Sequence, residues 1–154
     1  MKKPFLLNLL FGVIISLFLA STVNAEEAIQ TQPSSDGKIE ASIIGAKVRR
    51  GVLTVKVSLK NTSGSKIEPE IRYGEIYYAD INEKKKYYAL KDSNGKYIAG
   101  PQHQDWGGGT FKTRIAAGEK RIIWLKFPAP PENTKAIDIF VPGILPFEEV
   151  ELKR

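Results

Sequence analysis

The sequence predicts an all-β protein, an antiparallel β-sandwich or small barrel of about seven to nine strands preceded by a signal-peptide helix. Three observations carry this. From Ile39 onward, apolar residues recur with a period of two, as in strands with one buried face. Clusters of Gly, Asn, Asp, Ser and Pro separate the apolar runs at roughly ten-residue spacing. No window beyond residue 25 carries a helical period.

The N-terminus reads MKKPFLLNLLFGVIISLFLASTVNA, with Lys2 and Lys3 before an apolar run from Phe5 to Ala20. Val23-Asn24-Ala25 supplies short residues three and one before a cut, so residues 1–25 are expected to be a signal peptide cleaved after Ala25. The run is short for crossing roughly 30 Å of hydrocarbon, which argues against a retained anchor. The expected location is exported, periplasmic or secreted, with membrane contact only through the uncleaved signal sequence. Residues 26–37 (EEAIQTQPSSDG) are polar and read as a flexible tether, and 38–154 as one sandwich domain.

The elements follow in order. Ile39, Ala41 and Ile43 alternate with polar residues, as do Leu53, Val55, Val57 and Leu59, and Arg49-Arg50-Gly51 joins the two runs as a hairpin turn. Asn61-Thr62-Ser63-Gly64-Ser65 is a turn cluster. EIYYADI (75–81) and KYYALKD (86–92) form a second hairpin, and Asn94-Gly95 suggests a type I′ turn. RIIWLKF (121–127) is apolar on both faces, which implies a central strand with Trp124 as a structural residue. KAIDIFV (135–141) and FEEVEL (147–152) close the chain. Pro128, Pro130 and Pro131 cannot donate to a ladder, so they end the sheet after Phe127 and favour an extended crossing.

Three stretches together resemble a known group: IAAGEKRIIWLKF, YYALKDSNGKYIAG and FPAPPENTKAIDIFVPGILPFEEVEL. They are similar to bacterial immunoglobulin-like exported envelope domains, a module found alone or N-terminal to OmpA-type domains. The resemblance covers roughly Ile39 to Leu152 and its motifs are structural turns. It implies an immunoglobulin-like topology and an envelope location. It carries no catalytic residues and, without an OmpA-type sequence in this chain, no wall binding.

Composition narrows the chemistry. There is no cysteine, which excludes disulfides, thiol catalysis and cysteine-held zinc. His103 is the only histidine, and no G-x-S-x-G elbow follows residue 25, so neither a His-rich metal site nor a serine triad is expected. Asp92-Ser93-Asn94-Gly95 lacks the spacing of a calcium loop. No cofactor or metal is expected. Without Lys2 and Lys3, 21 basic residues face 17 acidic ones, too modest a balance for nucleic acid to be an expected partner.

Two candidate binding surfaces remain. His103, Asp105 and Trp106 precede a glycine run, an aromatic platform on permissive backbone. Tyr77, Tyr88, Lys84, Lys85 and Lys86 place aromatic and positive groups on one hairpin. The expected function is therefore a non-enzymatic binding module contacting a protein or an anionic envelope polymer. The alternatives are a carboxylate-based hydrolase of wall sugars, which needs two carboxyl groups roughly 5–10 Å apart in a cleft, and a small-ligand carrier, which needs an enclosed apolar cavity of roughly 300 Å³ or more. Intact-mass measurement of protein recovered from the producing cell tests the processing: a chain beginning at Glu26 is expected, and retention of residues 1–25 would make it an anchored protein.

Overall fold

A hairpin of long strands sets the first sheet. In the computed structural model, which describes residues 27–103 and 109–154, β2 (Ile39–Arg49) pairs antiparallel with β3 (Val52–Asn61) from Arg49↔Val52 to Ile39↔Asn61. Arg50 (φ 51°) and Gly51 (φ 75°) form its two-residue loop, both with the positive φ of a type I′ turn. The register shifts between Ile43 and Gly45, so Ile44 is an extra residue. This bulge moves the inward set from Ile39, Ala41 and Ile43 to Ala46 and leaves Lys47 outside.

β3 pairs on its other side with β9 (Lys120–Pro128), and the five-stranded sheet has the order β1-β2-β3-β9-β7. Here β1 is Gln30–Pro33 and β7 is Ala99–Gly100. A second sheet has the order β11-β10-β5-β6, from Phe147–Glu151, Ala136–Phe140, Tyr77–Asp80 and Lys85–Tyr88. A two-stranded ribbon joins β4 (Glu70–Arg72) to β8 (Thr110–Lys112). All the strand pairs are antiparallel. The protein is all-β, with antiparallel sheets consistent with a β-sandwich. No helix among the described residues is long and apolar enough to cross a membrane.

The inward faces of the two larger sheets share one core. Val55, Val57, Leu59, Ile123, Leu125, Ile137 and Ile139 are all buried. Tyr78 crosses the core to meet Phe127 edge-on at 5.6 Å between ring centroids, and its hydroxyl donates to the Pro128 carbonyl at 2.9 Å. Burial pushes the Tyr78 and Tyr73 phenols well above the usual tyrosine range. Buried Asn61 ends β3 by bonding Ser65 and Ile115 carbonyls through its amide and the Ser63 N–H and hydroxyl through its oxygen.

Chain crossing between the sheets ties both sides. On one side, Ser34 bridges Ile144, and Lys153 runs parallel to Lys47, exchanging bonds with Ala46 and Val48. On the other, Leu90, just beyond β6, donates to the Lys126 carbonyl of β9, and Lys126 donates to Ile98.

Four sequence expectations change. Gln30–Pro33, expected to belong to a flexible tether, is an edge strand with residues 30–33 opposite 40–43, and the Thr31 and Ser42 hydroxyls meet at 2.8 Å. It buries little apolar surface and rests on main-chain bonds, so it leaves no alternation to read. The strand at 121–127 is central by pairing but not buried on both faces: Ile122 is 49% and Trp124 38% exposed on the outer side. Trp124 lies across Gly100 of β7, where an added Cβ would meet the indole at 2.9 Å. The Asn94-Gly95 turn is not type I′, because only Gly95 has positive φ; the Asp92 carboxylate instead accepts from the amides of Asn94 and Lys96. Pro128 remains within β9 as its last residue, opposite Val52, so the sheet ends one residue later than expected. The proposed signal peptide lies outside the described residues.

Leu125→Ala should lower unfolding free energy by about 2–5 kcal/mol in denaturant titration. Ile122→Ala, three residues earlier on the outer face, should cost under about 1 kcal/mol. Equal costs would contradict this assignment of faces.

Candidate functional site

Alternation along β5 and β6 divides the tyrosine-lysine hairpin between two faces. The register is Tyr77↔Tyr88, Tyr78↔Tyr87, Ala79↔Lys86 and Asp80↔Lys85. Tyr78 and Tyr87 stack at 4.7 Å on the inner side. Tyr77, Tyr88 and Lys86 stand on the outer face, with Tyr88 52% exposed. Phe140 of β10 lies opposite Tyr77 in register and stacks on it at 4.7 Å and 16° between planes. The Tyr77 and Tyr88 rings are 5.6 Å apart and tilted by 50°. Phe140–Tyr77–Tyr88 is therefore an aromatic row running across three strands. The Lys86 ammonium sits 4.5 Å from the Tyr77 ring centroid and adds a positive charge beside the row.

The three lysines do not act as one patch. Lys85 bonds Glu83 at 3.2 Å, and Glu83 also accepts the Tyr87 hydroxyl at 2.9 Å. The Tyr87 hydroxyl, and next the Lys85 ammonium, hold the Glu83 carboxyl below the usual carboxylate range, and the same carboxylate raises Lys85 and Tyr87. Lys84 occupies the turn with φ 55°. Asp80, almost fully buried, builds that turn by accepting from the Asn82 and Glu83 amides, and it also accepts the Thr134 hydroxyl at 2.6 Å. The structure thus joins Tyr77, Tyr88 and Lys86, and separates Lys84 and Lys85 from them.

His103 is elsewhere, half-buried, its backbone N–H bonded to the Thr110 carbonyl. Asp105 and Trp106 lie outside the described residues. Phe140 was missed from sequence, although inward Ile137 and Ile139 already require it to face outward. Among the described residues, no three His, Asp or Glu side chains group as a metal site would need. One open cleft has both Asp36 and Glu68 in its lining. Asp36 is held below the usual carboxylate range by the Ser34 hydroxyl and then the Lys38 amide, the opposite of a general acid, and Glu68 pairs with Arg114 at 3.4 Å.

Comparison of the chain with protein-family models, with curated proteins and with solved structures found no match.

The Glu83 cluster is directly testable. A carboxyl lowered in the folded state contributes stability above its unfolded pKa, and that contribution fades as pH falls through the folded value. In Tyr87→Phe, the Glu83 midpoint read by NMR should move up toward the ordinary carboxylate value; an unmoved midpoint would show that the hydroxyl is not its main stabiliser.

Proposed function

We propose that this chain is a non-enzymatic binding module of the cell envelope, immunoglobulin-like in topology, exported and processed, and that it holds an anionic envelope polymer on the outer face of β5, β6 and β10. The observation that carries the reading is the Phe140–Tyr77–Tyr88 row with Lys86 set against it. Neighbouring strands are roughly 4.8 Å apart, so three rings in register span about 10 Å, suited to flat apolar faces such as those of sugar rings. Lys86 supplies the charge that an acidic substituent would meet. The immunoglobulin-like reading is supported by antiparallel sheets sharing one core. The export reading rests on the N-terminal sequence.

Binding to acidic envelope polysaccharide, measured by co-sedimentation, tests this. Tyr88→Ala and Lys86→Ala should each weaken binding several-fold or more, Lys85→Ala should leave it near the parent level, and added salt should weaken the parent more than Lys86→Ala. Equal binding by all three variants would remove the function from this face. Retention of protein partners in place of polysaccharide, lost in the same two variants, would assign the face to a protein.

A further inference from the structure

At the end of the molecule where the β2–β3 turn lies, a cleft of about 570 Å³ opens between that turn and the proline crossing after β9. Its charged side chains are Arg49, Arg50, Arg154 and Glu132, three guanidinium groups against one side-chain carboxylate. No carboxylate among the described residues pairs with any of the three arginines. Arg154 is held in place by backbone: one terminal nitrogen donates to the carbonyls of Pro131 at 2.7 Å and Thr134 at 3.1 Å, leaving its other guanidinium N–H groups to act as donors. Both acceptors belong to the stretch that the prolines hold off the sheet.

The turn itself gives a second, independent indication. Arg50 sits at φ 51°, in the left-handed region, ahead of Gly51. Asparagine is the residue that a type I′ turn favours there, because a Cβ-bearing side chain other than Asn or Asp is disfavoured at positive φ. An arginine at that position works against the local backbone preference, and what it adds to the cleft is a planar fork of donors. Guanidinium forks match oxyanions in bidentate geometry, and several of them together favour a multiply charged group over a single carboxylate.

We propose that this cleft is a binding site for a phosphate-bearing anion, with Arg49, Arg50 and Arg154 as its donors. The site is independent of the aromatic face on β5, β6 and β10. The shared chemistry is the phosphate group, carried either by a soluble phosphate chain or by a phospholipid headgroup.

The test uses isothermal titration with inorganic tripolyphosphate at fixed ionic strength, and flotation with phosphatidylcholine vesicles with and without phosphatidylglycerol. The parent should bind at least one probe. The double variant Arg49→Gln/Arg50→Asn should bind about tenfold or more weakly, with an unchanged or raised Tm because asparagine suits the turn. Loss of tripolyphosphate binding assigns a soluble source; loss confined to phosphatidylglycerol vesicles assigns a headgroup. Lys120→Ala, which removes an exposed charge at the far end of β9, should bind as the parent does. The proposal is overturned if the parent binds neither probe, if the double variant binds as well as the parent, or if Lys120→Ala loses as much as the double variant, which would mean diffuse charge attraction.

Discussion

The pairing of β3 with β9 is the constraint on which the rest of the structure depends. Nine consecutive residue pairs align from Val52↔Pro128 to Lys60↔Lys120. Within them, Leu53, Val55 and Val57 with their partners Phe127, Leu125 and Ile123, and Leu59 opposite Arg121, face the core through their apolar side chains, while Lys56, Ser58 and Lys126 face outward. A slip of one residue would exchange these sets, burying lysines and exposing the core, so the register is strongly specified. β2 and β7 then attach to the outer sides of this pair, and Pro128 presents the carbonyl that takes the Tyr78 hydroxyl from the opposite sheet.

The surfaces follow from the same constraint. Once Tyr78 is fixed inward against Phe127, its neighbours on β5 and β6 have no freedom over which way they face. Tyr77 and Tyr88 go outward and Tyr87 stays inward. The crossing after Pro128 also connects two cationic regions of the surface. Its Thr134 bonds Asp80 beneath the lysine-bearing turn through the side chain, and accepts Arg154 at the arginine cleft through its carbonyl. The proline-rich segment is thus architectural in itself, and its consequence is the placement of two cationic features.

Much of the core was legible because alternation reports burial directly: Ile39, Ala41 and Ile43, and Leu53, Val55, Val57 and Leu59, the apolar sets of the first two runs, are buried. The bulge at Ile44 also left a trace, a change of parity from Ile43 to Ala46 in the apolar pattern. Other features had no such signal. β1 carries its stability in main-chain bonds, which every sequence can make. Ile122 and Trp124 read as buried because apolar composition alone does not distinguish a covered outer face from an open one. Of the candidate binding residues, Tyr77, Tyr88 and Lys86 converge, whereas Lys84 and Lys85 do not, because strand alternation separates neighbours that sequence proximity groups. The arginine cleft was invisible for a different reason: Arg154 lies more than a hundred residues from Arg49, and only the crossing brings them to one cleft.

Native-state amide hydrogen exchange tests the central dependence most directly. Opening β3 from β9 removes the support of both larger sheets, so it should require global unfolding. The amides of Val55, Val57, Ile123 and Leu125 that lie within the ladder should be the slowest to exchange, with a denaturant dependence equal to that of the whole protein. Faster exchange there than in β5 and β10, or opening of the β3–β9 ladder by a local fluctuation, would contradict the account.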